Sequence, residues 1–472
     1  MKRDPRDKGR DREKEPGIKA PGVDEILIDY LPGETRAALL SAGRLIALGI
    51  HRPGQASQAG AILRGRVTAV RRDQGAVYVD LGSGKAGFLS LKRGGKPPVQ
   101  GAALVVQVVK DAVDDKGPGL TDRPLVAGRL LTLRPGQPGI ERSRRLSPDD
   151  FTRAAKALGA VDASKDGFMV NPVAAGAGDA ALLAEARALT DTWAAAMKQT
   201  AAPKTLLPAP DPVLRAVLDH AATVKTVTVD DAETLNRLAA GLKTLAPELA
   251  GLPRRHPGPM PMFRRHDLET QIDEALSQRV RLPGGGVLII DELAALTVID
   301  VDMAAQENPG GQEDAALAAN FQAASEIARQ LRLRDIGGIA VVDFLRVGSG
   351  DNRRRVVEAL RRFSSGDPQQ VDVLGMTPAG LVELTRRRGR PSLAKLLHGN
   401  PLATGFALLR AALAESAAQP GRKLLASAAP AVVKALEKER ATLEHVRARI
   451  GAGLELHADP AQPDRRFDIG PG

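Results

Sequence analysis

Residues 266–392 alternate between helical and extended patterns of apolar residues, and this alternation limits the fold more than any other feature of the sequence. Apolar residues recur about every 3.6 positions in a helix and every two in a half-buried strand. The segments follow in the order HDLETQIDEALSQRV, GGGVLIIDELAALTVIDVD, EDAALAANFQAASEIARQLRLRD, GIAVVDFL, NRRRVVEALRRF, VDVLGM and GLVELTRRR. We interpret the first, third and fifth as helices and the second as a hairpin, which predicts an α/β subdomain.

Three aspartates lie near the ends of two predicted strands of this subdomain. Asp300 and Asp302 are two residues apart, so their side chains share one face of a strand. Asp343 ends the strand that follows the long helix, and adjacent strand ends would bring the three carboxylates to one rim. Mg²⁺ takes one or two carboxylates and completes its shell with water and phosphate oxygens, so a magnesium site is one interpretation. Solvated strand-end aspartates are the other, and the spacing alone does not separate them.

The rest of the chain has a clear but less regular pattern. Short strands with glycine between them predict a small closed barrel over residues 58–122. Upstream, EILIDYL and ETRAALLSAGRLIALGI predict a β-meander. Downstream, PDDFTRAAKALG and DAALLAEARALTDTWAAAMKQT predict two helices, the first capped by Ser147. Residues 393–472 predict mainly two helices and a short β ending, GLELHAD.

Composition narrows the class of partner. Lys and Arg number 67 against 56 Asp and Glu, which gives a net charge of +11. This excess is typical of proteins that bind a phosphate-rich partner, although an ordinary basic enzyme has it too. The chain has no cysteine, which excludes disulfides and thiolate zinc sites and fits a reducing compartment. Residues 1–22 mix both charge signs, so we expect a disordered tail, and no apolar run is long enough to span a membrane.

Four segments, in this order and spacing, resemble the catalytic portion of the ribonuclease E/G family from Glu25 to about Ile469. They are EILIDYLPGETRAALLSAGRLIALGI, LPGGGVLIIDELAALTVIDVD, ANFQAASEIARQLRLRDIGGIAVVDF and GLVELTRRRGRPSL. The resemblance implies a multi-subdomain α/β protein. Its expected parts are an RNase H-like subdomain (23–57 and 203–265) with an inserted S1-type OB barrel (58–122), a degenerate 5′-sensor region (123–202), a DNase I-like catalytic subdomain (266–392) and a small C-terminal α/β domain (393–472).

The resemblance also implies a catalytic site. Asp300 and Asp343 occupy the positions of the family's two magnesium-binding aspartates, with Mn²⁺ as the alternative ion. Asp302 stands where the family usually has asparagine, and we expect it to assist catalysis. An ionised aspartate accepts hydrogen bonds but cannot donate them, so this departure leaves the rate open. Arg346 is a second departure, because the family usually has an acidic residue there.

RNA contacts are expected in the barrel and at basic clusters. Tyr78 and Phe88 match family positions that stack on bases, and Lys110 matches a basic contact; a place in the barrel core is the alternative for the two aromatic rings. Arg144 and Arg145, beside Arg142, are expected to touch the RNA backbone. A further cluster comprises Arg386, Arg387, Arg388 and Arg390. For both clusters a solvated surface is the alternative.

Two family features are missing. Asn171 and Pro172 replace the Arg-Thr pair that reads a 5′-monophosphate, which removes the guanidinium that clamps a phosphate. We therefore expect a weak or absent preference for monophosphorylated 5′ ends. The cysteines that bind a zinc ion shared between subunits are also absent, so a homodimer cannot form through that link.

The resulting hypothesis is a cytoplasmic, magnesium-dependent endoribonuclease that cleaves single-stranded RNA with an activated water, in ribosomal RNA processing or messenger RNA decay. Two alternatives stay open. One is a catalytically weak or inactive RNA-binding factor that keeps the fold, and the other is a metal-dependent deoxyribonuclease. Cleavage of RNA separates the hypothesis from the first, and comparable cleavage of single-stranded DNA would favour the second.

Overall fold

The structure is a computed structural model. It describes residues 22–53, 58–91, 97–112, 117–143, 146–303, 312–451 and 453–472. These residues form two compact units, one built from 270–388 and the other from 23–269 together with 389–472. The predicted tail lies outside the described residues, apart from Gly22.

The first described strands form the predicted meander. They are β1 (Glu25–Leu31), β2 (Glu34–Ser41) and β3 (Arg44–His51). Neighbours run antiparallel, with Ile28 opposite Ala37 in the first pair and Ala38 opposite Leu48 in the second. All four of these side chains are buried, which explains the dense apolar sequence of the segment.

The described part of the predicted barrel contains five strands that close on themselves. They are β4 (Ile62–Arg71), β5 (Ala76–Asp80), β6 (Gly87–Ser90), β7 (Ala103–Lys110) and β8 (Gly119–Thr121). The order is β4-β5-β6-β8-β7, and the long first strand closes the barrel because it pairs with both β5 and β7. Alternate residues such as Val77, Val79, Val106 and Val108 fill the interior. The closed barrel is consistent with an OB-like fold.

The next region packs two helices on a small sheet. The elements are β9 (Val126–Ala127), β10 (Leu131–Arg134), β11 (Ile140–Arg142), α1 (Pro148–Leu158), β12 (Gly167–Val170) and α2 (Asp179–Met197). Both predicted helices are present. The first starts as predicted, because the Ser147 hydroxyl accepts a 3.1 Å hydrogen bond from the Asp150 N–H. Leu182 and Ala186 of α2 share a core with Leu131 and Phe168.

The chain then returns to the first sheet. The elements are β13 (Lys204–Leu207), α3 (Pro212–Asp219), β14 (Thr226–Val229), α4 (Ala232–Leu245), β15 (Pro253–Arg255), α5 (Met262–Arg265) and α6 (Leu268–Leu276). Strand β14 pairs in parallel with β1, and β15 pairs in parallel with β14, which gives the order β15-β14-β1-β2-β3. Strand β13 instead pairs with β4 of the barrel. One sheet is therefore assembled from segments that precede and follow the barrel in the sequence.

The unit 270–388 contains a sheet of six described strands. The elements are β16 (Arg279–Arg281), β17 (Gly286–Glu292), β18 (Leu296–Met303), α7 (Gln312–Leu333), β19 (Gly338–Asp343), α8 (Gly350–Ser364), β20 (Val371–Met376) and β21 (Leu381–Arg386). The order is β16-β17-β18-β19-β21-β20, with β18 and β19 parallel. Both helices cover one face, where Ile327 and Leu360 share a core with Leu288, Ile299 and Val342.

One predicted helix is shorter than expected. The pattern of HDLETQIDEALSQRV predicted a helix that reaches Val280. In the structure α6 ends at Leu276, and residues 279–281 form β16. The physical reason is a tight turn, in which the Leu282 N–H donates a 2.7 Å hydrogen bond to the Gly286 carbonyl. Gly285 has φ +91°, a conformation that residues with side chains rarely adopt, and this turn folds Arg-Val-Arg back onto β17.

The last region is richer in elements than predicted. Its described residues form α9 (Leu393–Leu397), α10 (Pro401–Ala418), β22 (Leu424–Ala428), α11 (Pro430–Lys438), α12 (Arg440–Ile450), β23 (Leu454–Ala458) and β24 (Phe467–Pro471). The predicted β ending GLELHAD is present as β23, but the expectation of mainly two helices was wrong, because the described residues form four helices and β22 pairs with both β23 and β24 in a small sheet. No helix among the described residues is long and apolar enough to cross a lipid bilayer.

Candidate active site

Asp300 and Asp343 are register partners on parallel neighbouring strands. Neighbouring strands lie ~4.8 Å apart, so the two carboxylates leave the sheet side by side. Both residues are exposed, and so is Asp302, two residues further along β18 on the same face. The structure therefore places the three predicted catalytic residues on one surface, with two of them adjacent.

The pleat of the strands explains this placement. Ile299 and Val301 alternate with the aspartates of β18 and are buried, as Val342 is beside Asp343. These apolar side chains face α7 and α8, so the carboxylates point to the opposite face. Apolar burial on the helix side thus directs the acidic side chains outward without any need to bury a charge.

The donor set suits a small, hard cation. Mg²⁺ is usually bound by one or two carboxylates and keeps several waters, and Asp300 with Asp343 supplies such a pair. Asp302 lies about 6.6 Å along the strand from Asp300 at the usual rise per residue. In the ranges that the structure describes, no three acidic, histidine or cysteine side chains are arranged to hold a metal ion together. A cation at this pair would therefore draw its remaining ligands from water and substrate.

The loop that follows Asp343 is held by hydrogen bonds to helix α7, which no pattern in the sequence predicted. The Asn320 side-chain amide donates a 2.8 Å hydrogen bond to the Leu345 carbonyl and accepts a 3.0 Å bond from the Leu345 N–H. Glu313 accepts hydrogen bonds from the Ser349 N–H and the Asn352 amide, both at 3.0 Å. These hydrogen bonds hold the pKa of Glu313 below its ordinary value. A buried asparagine in an alanine-rich helix carries no sequence signal that would have identified it.

The predicted RNA-binding residues of the barrel lie in one row across four strands. The register runs Tyr78–Phe88–Gly119–Lys110. The Tyr78 and Phe88 rings meet edge to face, with centroids 6.2 Å apart. Phe88 is 41% exposed, and neither ring belongs to the barrel core. Gly119 has no side chain, and the Lys110 side chain lies 3.4–3.9 Å from the position that a Cβ of Gly119 would take.

The two basic clusters that were expected to contact RNA are described to different extents by the structure. Arg144 and Arg145 lie outside the described residues. Arg386 does not fit the expected surface cluster, because it is 4% exposed and its guanidinium donates to Asp335 at 2.7 Å and to Asp367 at 2.9 Å. The pleat of β21 turns this residue inward, where the two carboxylates offset its charge. The interpretation of Arg386 as an RNA contact was therefore wrong.

The region expected to be a degenerate sensor uses Asn171 internally. Its side-chain oxygen accepts a 3.1 Å hydrogen bond from the Thr132 hydroxyl, and its amide donates a 3.1 Å bond to the Arg129 carbonyl. Pro172, which has no N–H to donate, begins a short 3₁₀ turn directly afterwards. Both polar groups of the Asn171 side chain are thus hydrogen-bonded within this region.

Comparisons with known proteins agree with this architecture. A model of the ribonuclease E/G family matches residues 126–389, more than half of the chain, including both register-paired aspartates. Ribonuclease G of Escherichia coli K12 is 30% identical over 485 aligned residues, which cover 94% of this chain and 99% of that protein. Ribonuclease E of Haemophilus influenzae is 32% identical across 77% of this chain and 42% of its own length. The chain belongs to the ribonuclease E/G family.

Proposed function

We propose that this protein is a magnesium-dependent endoribonuclease that cleaves single-stranded RNA, in ribosomal RNA processing or messenger RNA decay in the cytoplasm. The observation that carries the proposal is the register pairing of Asp300 with Asp343 on an exposed face. Relatives named ribonuclease G and ribonuclease E support the reaction class. The net charge of +11 suits a polyanionic substrate.

Asp300 and Asp343 would hold the metal ion, with Mn²⁺ as the alternative. When bound, the ion would neutralise charge that develops at phosphorus and make water more acidic. Asp302, on the same face, would orient the attacking water by accepting its hydrogen bond. Attack by water leaves a 5′-phosphate on the downstream product, whereas 2′,3′-cyclic ends would exclude this route.

The barrel would hold the RNA strand. Tyr78 and Phe88 present ring faces and edges for stacking, which is worth roughly 1–3 kcal/mol per base. Lys110, at the other end of the same row, would bind a backbone phosphate. Arg144 and Arg145 are proposed to add further backbone contacts.

The subdomain assignments remain part of the proposal. Three antiparallel strands followed by two parallel ones support an RNase H-like subdomain around the barrel. The sheet covered by α7 and α8 supports a DNase I-like catalytic subdomain over 266–392. The region 393–472 would be the small C-terminal domain, and a homodimer, if it forms, would not use cysteine-bound zinc because the chain has no cysteine.

Residues 123–202 are proposed to be a degenerate 5′ sensor. Because the Asn171 amide is engaged with Thr132 and the Arg129 carbonyl, it does not replace a phosphate-clamping guanidinium. Cleavage rates on matched RNAs with 5′-monophosphate and 5′-hydroxyl ends should therefore be similar. A clear advantage of the monophosphate would contradict this assignment.

The central test is cleavage of a 5′-labelled, unstructured RNA by the wild type and by Asp300→Asn and Asp343→Asn. We expect internal cleavage by the wild type, and a loss of about 100-fold or more in each variant, because each removes a charged ligand of the metal. RNA binding by both variants should persist. Asp351→Asn on α8, an exposed aspartate on the helix-covered side, is the matched control and should cut normally.

A second candidate function is an RNA-binding factor that does not cut. The observation that favours it is the exposed Asp302 beside Asp300, because a third carboxylate repels a phosphate. If the wild type binds RNA but never cuts it with magnesium or manganese, this function replaces the first.

A further inference from the structure

Two arginines stand on the same face of the catalytic sheet as the aspartates. They belong to the edge strand β16, whose first two residues, Arg279 and Val280, fall in the segment predicted to be helical. The cross-strand rows are Arg279–Ile289–Asp300 and Arg281–Val287–Asp302. Residues directly opposite one another project from the same face, so each arginine shares a row with one aspartate.

Burial confirms the orientation of the edge strand. Val280 is 7% exposed and belongs to the core under α7 and α8, so its neighbours Arg279 and Arg281 point to the open face. Both arginines are exposed. Within the described residues, neither guanidinium makes a hydrogen bond or an ion pair. Two strand spacings separate Arg279 from Asp300, or about 10 Å between their backbones.

The opposite side of the aspartates carries negative charge. Glu383 of β21 lies opposite Val341, on the open face, and is exposed. Asp372 of β20 lies opposite Thr385 and is exposed as well. The positive charge that we identify on this face is therefore at β16, whereas Asp291 of β17, the aspartates, and the carboxylates of β21 and β20 are negative. A polyanion that reaches Asp300 is attracted from the β16 side and repelled from the other side.

We infer that Arg279 and Arg281 bind phosphates of the RNA segment that flanks the cleaved bond, and that they direct the strand across β16 and β17. The inference rests on the proposed function, since it takes Asp300 and Asp343 as the site of cleavage. Arginine suits this role because its planar guanidinium donates two parallel hydrogen bonds to one phosphate and stays charged. The two residues are substrate-positioning groups and take no part in the bond-breaking step.

The test separates binding from cutting. Binding of a fluorescent, unstructured RNA is measured over a series of salt concentrations in the Asp300→Asn background, with and without Arg279→Gln and Arg281→Gln. Each phosphate contact contributes about 0.7 to the slope of log affinity against log salt for single strands, so the double change should reduce the slope by about 1.4. With Asp300 intact, the double variant should raise KM about 10-fold while kcat changes little, as for lost uniform binding.

Two controls address charge and folding. Arg354→Gln removes an exposed arginine from α8, on the helix-covered side, and should leave both slope and KM unchanged. Arg279→Lys with Arg281→Lys keeps both charges and should restore most of the slope. Circular dichroism of each variant shows whether the edge strand tolerates the change.

The outcomes distinguish the inferred role of the two arginines from the proposed cleavage of RNA. If the wild type cuts RNA and the glutamine variants keep its KM and its salt slope, the inference is overturned while the proposed function stands. If the wild type never cuts but the glutamine variants lose the expected slope, the arginines bind RNA and the proposed cleavage fails. A loss of slope that Arg354→Gln reproduces would also overturn the inference, because it would reflect overall charge.

Discussion

Asp302 lies near the proposed metal site, at a position where the resemblance implies that the family usually has asparagine. It is exposed on the face that carries Asp300, and as a carboxylate it cannot donate a hydrogen bond to a phosphate oxygen. It also adds a negative charge close to the position expected for the scissile phosphate. Both effects oppose substrate binding, and the added charge favours binding of a cation.

We therefore predict that Asp302→Asn raises kcat/KM for RNA. An amide donates as well as accepts and removes one repulsive charge, so a gain of about 10-fold is expected, or ~1.4 kcal/mol of transition-state stabilisation. Steady-state cleavage of one unstructured RNA at several magnesium concentrations measures it. The variant should also need more magnesium for half-maximal rate. A fall in kcat/KM at saturating magnesium would show instead that cleavage needs the negative charge of Asp302 and not only its hydrogen-bond acceptor.

At the scale of elements, helix α7 connects the two aspartate-bearing strands and anchors the loop after the second. Asn320 is fully buried, and both of its side-chain hydrogen bonds go to the backbone of Leu345. Leu345 lies two residues after Asp343, so the helix restrains the position of that carboxylate. Gln322 on the same helix accepts a 2.9 Å bond from the Gly284 N–H in the β16–β17 turn.

Asn320→Ala should destabilise the protein by about 1–3 kcal/mol, because it removes both hydrogen bonds to the partly buried backbone of Leu345 at ~0.5–1.5 kcal/mol each. It should also lower the cleavage rate by disordering the loop after Asp343. Urea unfolding followed by circular dichroism measures the first effect. Gln322→Ala, which removes one exposed hydrogen bond, is the control and should cost less than ~1 kcal/mol. Equal losses in the two variants would contradict the anchoring role of Asn320.

The spacing of apolar residues predicted most elements of the unit 270–388. The limits of that spacing explain why some strands were missed. The hairpin of β17 and β18, helix α7 and strand β19 follow directly from apolar spacing. Strand β16 was missed because three residues are too few to show a period, and only its pairing with β17 defines it. Likewise β22, with the sequence LLASA, has residues that favour a helix, and pairing with β23 and β24 overrides that preference.

The candidate site, like the fold, was predicted from the sequence only in part. The sequence predicted that the aspartates share a rim, since strand alternation and chain order are both local properties. It could not predict that Asp300 lies directly opposite Asp343, or that Arg279 shares their row, because register is set by pairing between distant segments. The sequence also could not predict that the Arg386 side chain points inward, because its partners Asp335 and Asp367 belong to other segments of the chain.

At the scale of the larger unit, buried charges join the last region of the chain to its first strands. The Arg410 guanidinium on α10 donates to Asp29 at 2.7 Å and to Glu34 at 2.6 Å. Arg36 donates to Asp29 at 3.0 Å, and the Arg52 Nε donates to Glu34 at 2.7 Å. Removing one partner from such a buried network is costly, because the remaining charge is left without compensation. The network therefore specifies how α10 packs on β1 and β2.

Asp29, a member of this network, and the nearby Asp230 have pKa values that are shifted in opposite directions. Burial alone would raise the pKa of Asp29, but Arg36 and Arg410 outweigh it and lower the pKa to about 2. Burial and the nearby Asp29 carboxylate raise the pKa of Asp230 to about 7. Asp230 follows β14 and accepts a 2.9 Å hydrogen bond from the Tyr30 N–H. Between its ordinary pKa of 3.8 and about 7, the folded unit therefore keeps a proton on Asp230 that the unfolded chain releases.

Because of this difference, the free energy of unfolding falls as pH rises from about 4 to about 7. Above pH ~7 the folded unit bears the full free-energy cost of the buried Asp230 charge. Asp230→Asn keeps the hydrogen bond from Tyr30 without the charge, so it should stabilise the unit at about pH 8 and have little effect at about pH 4. The expected gain is on the order of 2–4 kcal/mol, since one pKa unit corresponds to ~1.4 kcal/mol. The single tryptophan, Trp193, lies in the same unit and reports its unfolding by urea. Asp191→Asn, an exposed change on α2, should leave the pH profile unaltered, and an equal gain for Asp230→Asn at both pH values would contradict the buried charge as its source.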